Sequence, residues 1–294
     1  VPAETPIGWT DATHNPVGGC EIESPGCIHC YAMNLCGTRL HKHPMYGGTT
    51  KLVNGSHVFN GHLTEHPNPD AFQWPLRWKG AKNPRLGPGM RSMIFVADMS
   101  DLFHPKRSTD VIYRVVEPCL TSKHICQFLT KRPAVMARYF EESGGPGCPP
   151  HPRFWLGFSA EDQVRFDERW PIMRKLAEAG WIVYCSYEPA IGPLKLPDDF
   201  LAFADRVWII IGGESGPRAR IYNLKWGENI IQQCQPRGVA VFNKQAGARP
   251  HYGPADWSTF VLHPLKFTHK KGEDMAEWPG WTRVREWPKA GIAA

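Results

Sequence analysis

From residue 93 onward the chain alternates between two patterns. Short unbroken runs of β-branched, aromatic and aliphatic residues fall at 93–97, 125–130, 154–158, 181–186, 207–211 and 239–242. Between them lie longer stretches, at about 107–122, 133–142, 161–179 and 223–235, in which apolar positions return every three or four residues. An apolar run without alternation is a strand buried on both faces, and the three-to-four spacing is an amphipathic helix. Strand and helix in strict alternation predict βαβ units and a parallel sheet. With a further strand before residue 93, the expected fold is α/β, a full or partial parallel (β/α) barrel of about six to eight units.

The rest of the chain lacks this regularity. Residues 41–92 are rich in His, Gly, Pro and Asn and read as a structureless insertion over the open face of the fold. Arg77, Lys79, Lys82, Arg85 and Arg91 make it the most basic stretch. Residues after 250, with Trp257, Trp278, Trp281 and Trp287, read as an irregular C-terminal extension. No internal repeat or second boundary interrupts the pattern, so residues 1–294 are expected to form one barrel domain.

The densest candidate chemistry precedes the regular part. Cys20, Cys27 and Cys30 stand at C-x6-C-x2-C spacing in a loop that also holds Gly18, Gly19, Pro25 and Gly26. Such a loop can fold back so that three thiolates meet one soft metal centre. Zinc and iron–sulfur clusters ordinarily take a fourth protein ligand, unless a substrate fills that place. Cys36 lies on a predicted helix, 31–40, that carries it away from the loop. Trp9, Asp11, His14 and Asn15 precede the loop and are candidates to support the thiolates.

Parallel α/β folds bind ligands at the carboxyl ends of their strands. Polar residues follow each apolar run there: Asp98 and Asp101; Thr130, Lys131 and Arg132; Ser159 and Glu161; Tyr187 and Glu188; Glu214; Lys244 and Gln245. A helix cap or a solvated loop charge explains any one of them, but not the whole series. Gly212 and Gly213, directly after a strand and before Glu214, let backbone approach a ligand closely. Asp98, Asp101 and His104 form an alternative divalent-metal set.

Composition changes this picture little. A net charge of +6 favours an anionic partner only mildly, and twelve tryptophans serve equally as loop staples or as platforms for bases. No apolar run approaches the ~20 residues that cross a bilayer, and the Val-Pro-Ala-Glu-Thr-Pro start has no signal-peptide pattern, so the expectation is a cytoplasmic protein without a membrane partner. Of nine cysteines, Cys119, Cys126, Cys185 and Cys234 lie in apolar periodic segments and read as core. Cys148 is loop-borne and unassigned.

Three clustered cysteines, an aromatic after the last, and a β/α pattern downstream resemble the radical S-adenosylmethionine (radical SAM) superfamily, whose first cysteine gap is three residues rather than six. Several further stretches resemble an uncharacterised phage- and bacterium-associated family of radical-SAM-like proteins. They are Gly8-Trp9-Thr10-Asp11 with Asn15-Pro16, Ser24-Pro25-Gly26-Cys27 with Cys30-Tyr31-Ala32, Leu129-Thr130-Lys131-Arg132-Pro133, Glu188-Pro189 with Gly192-Pro193, the run from Gly212 to Pro217, and Lys244-Gln245.

The resemblance implies a [4Fe-4S] cluster on Cys20, Cys27 and Cys30, with one iron open to S-adenosylmethionine (SAM). Reduction would cleave SAM to methionine and a 5′-deoxyadenosyl radical that takes hydrogen from the substrate. In that reading Tyr31 packs near the adenine, and Gly212, Gly213 and Glu214 receive the methionine end, with Asp98 as an alternative anchor. Asp98, Lys131, Glu188 and Lys244 are the candidate catalytic residues. A nucleic acid or nucleotide is the expected substrate, undergoing modification or repair, and an electron donor is required. Two alternatives stay open. One is an iron–sulfur nucleic-acid-processing or redox protein without SAM, which the six-residue gap favours. The other is a zinc-stabilised nucleic-acid-binding module completed by Cys36 or His29.

Overall fold

A computed structural model describes residues 5–142, 149–254 and 262–290. Cys148 and Trp257 lie outside the described residues. Seven strands form one sheet: β1 (Ala12–His14), β2 (Met93–Val96), β3 (Ile125–Thr130), β4 (Phe154–Ser159), β5 (Ile182–Tyr187), β6 (Val207–Gly212) and β7 (Ala240–Gln245). Their order in the sheet is their order in the chain, with β1 and β7 at the two ends. A doubly wound sheet reverses its order partway, whereas winding in one direction is that of a barrel. The fold is therefore α/β, a partial parallel (β/α) barrel, and the strand expected before residue 93 is β1.

The chain divides into two compact units, the first running to residue 157 and the second spanning 158–290. In the first, β2 pairs in parallel with β1 through Ala12 and Ile94, and with β3 through Met93 and Ile125. Helix α1 (Tyr31–Gly37) follows the cysteine loop, α2 (Thr109–Thr121) follows β2, and α3 (Pro133–Glu142) follows β3. Helix α2 starts where the Ser108 hydroxyl accepts from the Val111 amide. Its Val111, Ile112, Val115, Val116 and Cys119 form one buried stripe at three-to-four spacing.

Residues 41–92 are not structureless. Thr50–Val53 and Ser56–Phe59 pair as an antiparallel hairpin. Asn54 and Gly55, at φ 49° and 73°, form its two-residue turn. Both central residues of that turn need positive φ, which Asn-Gly supplies, so the dipeptide is a hairpin signal that composition alone hides. Trp74–Arg77 adds one helical turn. The basic residues here serve structure in part: Arg85 donates to the Thr10 and Thr5 carbonyls, and Arg91 to the Lys123 carbonyl.

In the second unit, β6 pairs in parallel with β5 and β7. Helix α4 (Gln163–Ala179) is capped by the Asp162 carboxylate, which accepts from the Arg165 amide at 2.8 Å, and it ends at Gly180 with φ 104°. Helix α5 (Leu224–Cys234) precedes β7. Strand β7 extends through Lys244 and Gln245, past the expected end at 242, because Gln245 still pairs with Gly212 of β6, and the C-terminal extension lies along its other edge. Asn243 N donates to Val284 O, Glu286 N to Val241 O, and Phe242 bridges Arg285. That pairing covers an otherwise open sheet edge.

Cys119, Cys126, Cys185 and Cys234 are buried, as their periodic surroundings predict. Aromatic packing dominates the first unit's interior, where Phe128 meets Phe103, Phe140 and Phe154 edge-on at 6.3, 6.2 and 5.2 Å. Phe128 is fully buried. Phe128→Ala is expected to lower stability by about 3–5 kcal/mol, read as a fall in the urea midpoint; a shift below 1 kcal/mol would mean that this cluster is not the core.

Candidate functional site

The cysteine loop is built by tight turns. Gly19 has φ 78°, and any side chain there would run into the His62 carbonyl, so the chain can reverse before Cys20 only with glycine. Cys20 O then accepts from Gly61 N at 3.2 Å. Pro25–Cys27 forms a 3-10 turn in which Cys27 N donates to Ser24 O, and Cys30 N donates to Cys27 O at 3.1 Å. Cys30 is the N-cap of α1.

All three thiols are half-buried by residue and free. Burial is the main influence on Cys20, pushing its thiol up to about 12; Asp101 and Cys30 push the same way, while Arg132 pulls it down. Burial also raises Cys30, against the Met33 and Ala32 amides at the helix start and the charge of Lys131, with Cys27 adding to the rise. Cys30 thus lies within electrostatic reach of Cys27 and Cys20.

What holds this loop is a chain of polar contacts through Asp101. Its Oδ1 accepts from Thr130 Oγ1 at 2.8 Å and from Phe103 N at 3.0 Å. Its Oδ2 accepts from Arg132 Nη1 at 2.9 Å and from Lys131 N at 3.3 Å. Arg132, buried, reaches on to Cys20 Sγ at 3.8 Å, to Glu21 O at 3.3 Å and to Glu23 Oε2 at 3.3 Å. Burial opposes the Arg132 charge, but Asp101, Cys20 and Glu23 outweigh it and raise its pKa. Glu21 is paired in turn with Lys106, and His104 Nε2 lies 3.3 Å from its carboxylate.

Asp98, at the end of β2, is a separate polar centre. Asn15 Nδ2 donates to Oδ1 at 2.5 Å and the Tyr31 hydroxyl donates to Oδ2 at 3.0 Å. Burial raises its pKa while these donors lower it. Asp98, Asp101 and His104 thus have three different sets of partners, and the alternative divalent-metal set is not assembled. Of the residues before the loop, Asn15 joins Asp98. Asp11 accepts from Arg85 N and Met93 N, Trp9 packs on Phe95, and His14 stacks on Trp74.

Among the described residues no three His, Cys, Asp or Glu side chains stand together as a ready metal group. The donor chemistry nonetheless fits a soft metal or cluster. Three thiols share one loop, and the cations of Lys131 and Arg132 lie where thiolate charge would collect.

The second unit carries the other strand-end residues. Glu188 Oε1 is 3.1 Å from Lys244 Nζ. The space a side chain would occupy at Gly212 is filled by the Glu188 carboxylate, and at Gly213 by Tyr222 and the Ala246 carbonyl. The close approach at this glycine pair is thus made by the chain's own groups. Glu214 accepts from Arg220 on both oxygens, at 2.7 and 3.1 Å. Glu161, fully buried, pairs with Arg169 at 3.2 Å, and Arg169 also donates to Ser159 O at 2.8 Å. That pair ties the end of β4 to α4.

Asp101 and Arg132 were legible as polar residues at strand ends, but their joint grip on Cys20 was not, because 112 residues separate Arg132 from that sulfur. The geometry gives a sign to test. With a thiol pKa near 12, Cys20 in metal-free protein stays protonated at pH 7–8 and alkylates slowly. Asp101→Asn removes a charge that raises this pKa and should speed iodoacetamide labelling of Cys20, whereas Arg132→Met should slow it. Peptide mass spectrometry across pH 7–10 reads both, and equal rates for the two variants would contradict the clamp.

A comparison with curated proteins finds no match. Among solved structures, a cysteine-to-serine mutant of spore photoproduct lyase is similar at 13% identity over 87% of this chain and 68% of that one, with a TM-score of 0.41. A double mutant of the same lyase, with bound AdoMet and dinucleoside spore photoproduct, is similar at 13% identity over 86% of this chain and 67% of that one, with a TM-score of 0.39. Residues 4–278 match the family described as "Protein of unknown function (DUF5131)", and the chain belongs to that family.

Proposed function

We propose that this protein is an iron–sulfur enzyme of the radical SAM type, in which Cys20, Cys27 and Cys30 hold a [4Fe-4S] cluster and SAM is the co-substrate. The observation that carries this reading is the loop with its three thiols free of disulfides and a buried guanidinium 3.8 Å from Cys20 Sγ. When bound, such a cluster supplies one electron at low potential and an iron with an open position.

The chain's own residues supply the rest. Ligation needs thiolates, and Arg132 at Cys20, with Lys131 and the first amides of α1 at Cys30, pulls toward them against the burial that raises both thiols in the metal-free protein. Tyr31 and Asn15 hold the Asp98 carboxylate as an acceptor beside the loop's last ligand. Glu188 and Lys244, in hydrogen-bond reach, are the pair suited to moving a proton on a substrate. Glu214 offers a carboxylate to an ammonium group, which would share it with Arg220. The excess of positive charge supports a nucleic acid or nucleotide as substrate, and an external electron donor is required. Among the described residues no helix is long and apolar enough to cross a membrane.

A second reading keeps the cluster without SAM, and the six-residue first cysteine gap favours it. Anaerobic reconstitution with iron and sulfide separates the readings. The expected product is brown, with about four irons per chain, and forms 5′-deoxyadenosine from SAM under dithionite. Cys20→Ala, Cys27→Ala and Cys30→Ala should each lose the colour, and Cys36→Ala should keep it. A brown protein inert toward SAM selects the second reading, and a colourless chain with one zinc overturns both.

A further inference from the structure

A small pocket in the first unit is lined by none of the three loop cysteines, although its Arg107 reaches the start of their loop. Arg107, Thr109, Ile112, Val135, Arg138 and Tyr139 line most of it. Arg107 immediately precedes the Ser108 cap, so the pocket opens at the N-terminus of α2, a helix of 13 residues. The Ser108 hydroxyl satisfies the Val111 amide, and among the described residues the amides of Thr109 and Asp110 donate to nothing.

The informative group is Arg107. It is 92% buried, being 8% exposed, and its Nε has no hydrogen-bond partner. Nη1 and Nη2 donate to the carbonyls of Thr64 and Gly18 at 3.4 and 3.2 Å. Among the described residues Arg107 makes no ion pair. Besides the Cys20 sulfur, the groups whose fields support its charge are the carboxylates of Asp101 and Glu65. Both are already paired, Asp101 with Arg132 and Glu65 with Arg114. Asp110, in the helix's first turn, pairs with Arg114 as well. A guanidinium taken from water without a counter-ion is costly, and here it lines a pocket that also presents a second arginine, a hydroxyl and a helix N-terminus.

We infer that this pocket is an anion site for a phosphate group, held by Arg107 and Arg138 with Thr109 and the first amides of α2. Guanidinium forks and helix N-termini both match the geometry and charge of phosphate oxygens. The site stands on Arg107 and its pocket and does not depend on the cluster reading. Because the same guanidinium holds Gly18 O, an occupant would share its anchor with the segment that leads into Cys20.

The test is a titration of the purified protein with inorganic phosphate in chloride buffer, by calorimetry and thermal melting. Saturable binding with a rise in Tm is expected. Arg138→Ala, at an exposed position, should weaken binding about tenfold while leaving the phosphate-free melt unchanged. Arg107→Met, which also frees Gly18 and Thr64, should abolish it. Competition distinguishes the sources: displacement by a nucleoside monophosphate identifies a phosphate monoester, and displacement by a short single-stranded oligonucleotide alone identifies a phosphodiester backbone. No saturable phosphate binding, or binding that Arg138→Ala leaves unchanged, overturns the site.

Discussion

A carboxylate and a guanidinium removed from water are stable only if nearly every donor and acceptor they carry is matched, and Asp101 and Arg132 meet that demand together. Asp101 accepts from the hydroxyl and backbone at the end of β3 and from Phe103 in its own loop, while Arg132 spends its remaining donors on the cysteine loop. Breaking this pair would leave either an unmatched carboxylate under β3 or an unmatched cation beside Cys20. The position of the thiols, the end of β3 and the loop after β2 therefore stand or fall as one arrangement.

The same logic recurs at each strand end, with different consequences. After β4, Glu161 and Arg169 close on each other inside the protein and serve to fix α4 to its strand. After β5 and in β7, Glu188 and Lys244 meet at a partly open position where a proton could be exchanged. In the loop after β6, Glu214 is held on two sides by Arg220. A row of charges that reads uniformly along the chain thus separates into a loop clamp, a buried structural ion pair and a partly exposed ion pair.

Arg107 departs from that pattern. The carboxylates whose fields reach it belong to other arginines, and its own donors go to the Thr64 and Gly18 carbonyls beside a small pocket. Asp101–Arg132 and Glu161–Arg169 match buried charge with buried charge, whereas among the described residues Arg107 is met by backbone carbonyls alone.

By itself the sequence determined the local elements. Runs of buried aliphatic residues fixed β2 to β7, polar caps such as Ser108 and Asp162 fixed helix starts, and the strict alternation fixed a parallel sheet, because hydrophobic period is a property of neighbouring residues. It also marked Cys20, Cys27 and Cys30, whose spacing is local. The Asn54-Gly55 hairpin was legible in the same way, though the composition around it masked the signal. Only the tertiary structure decided which distant groups meet: Arg132 with Cys20, Asn15 with Asp98, Glu188 over Gly212, and the extension along β7. Those pairings depend on how strands are ordered across the sheet and on which buried charge finds which partner, and neither is written in the spacing of residues along the chain.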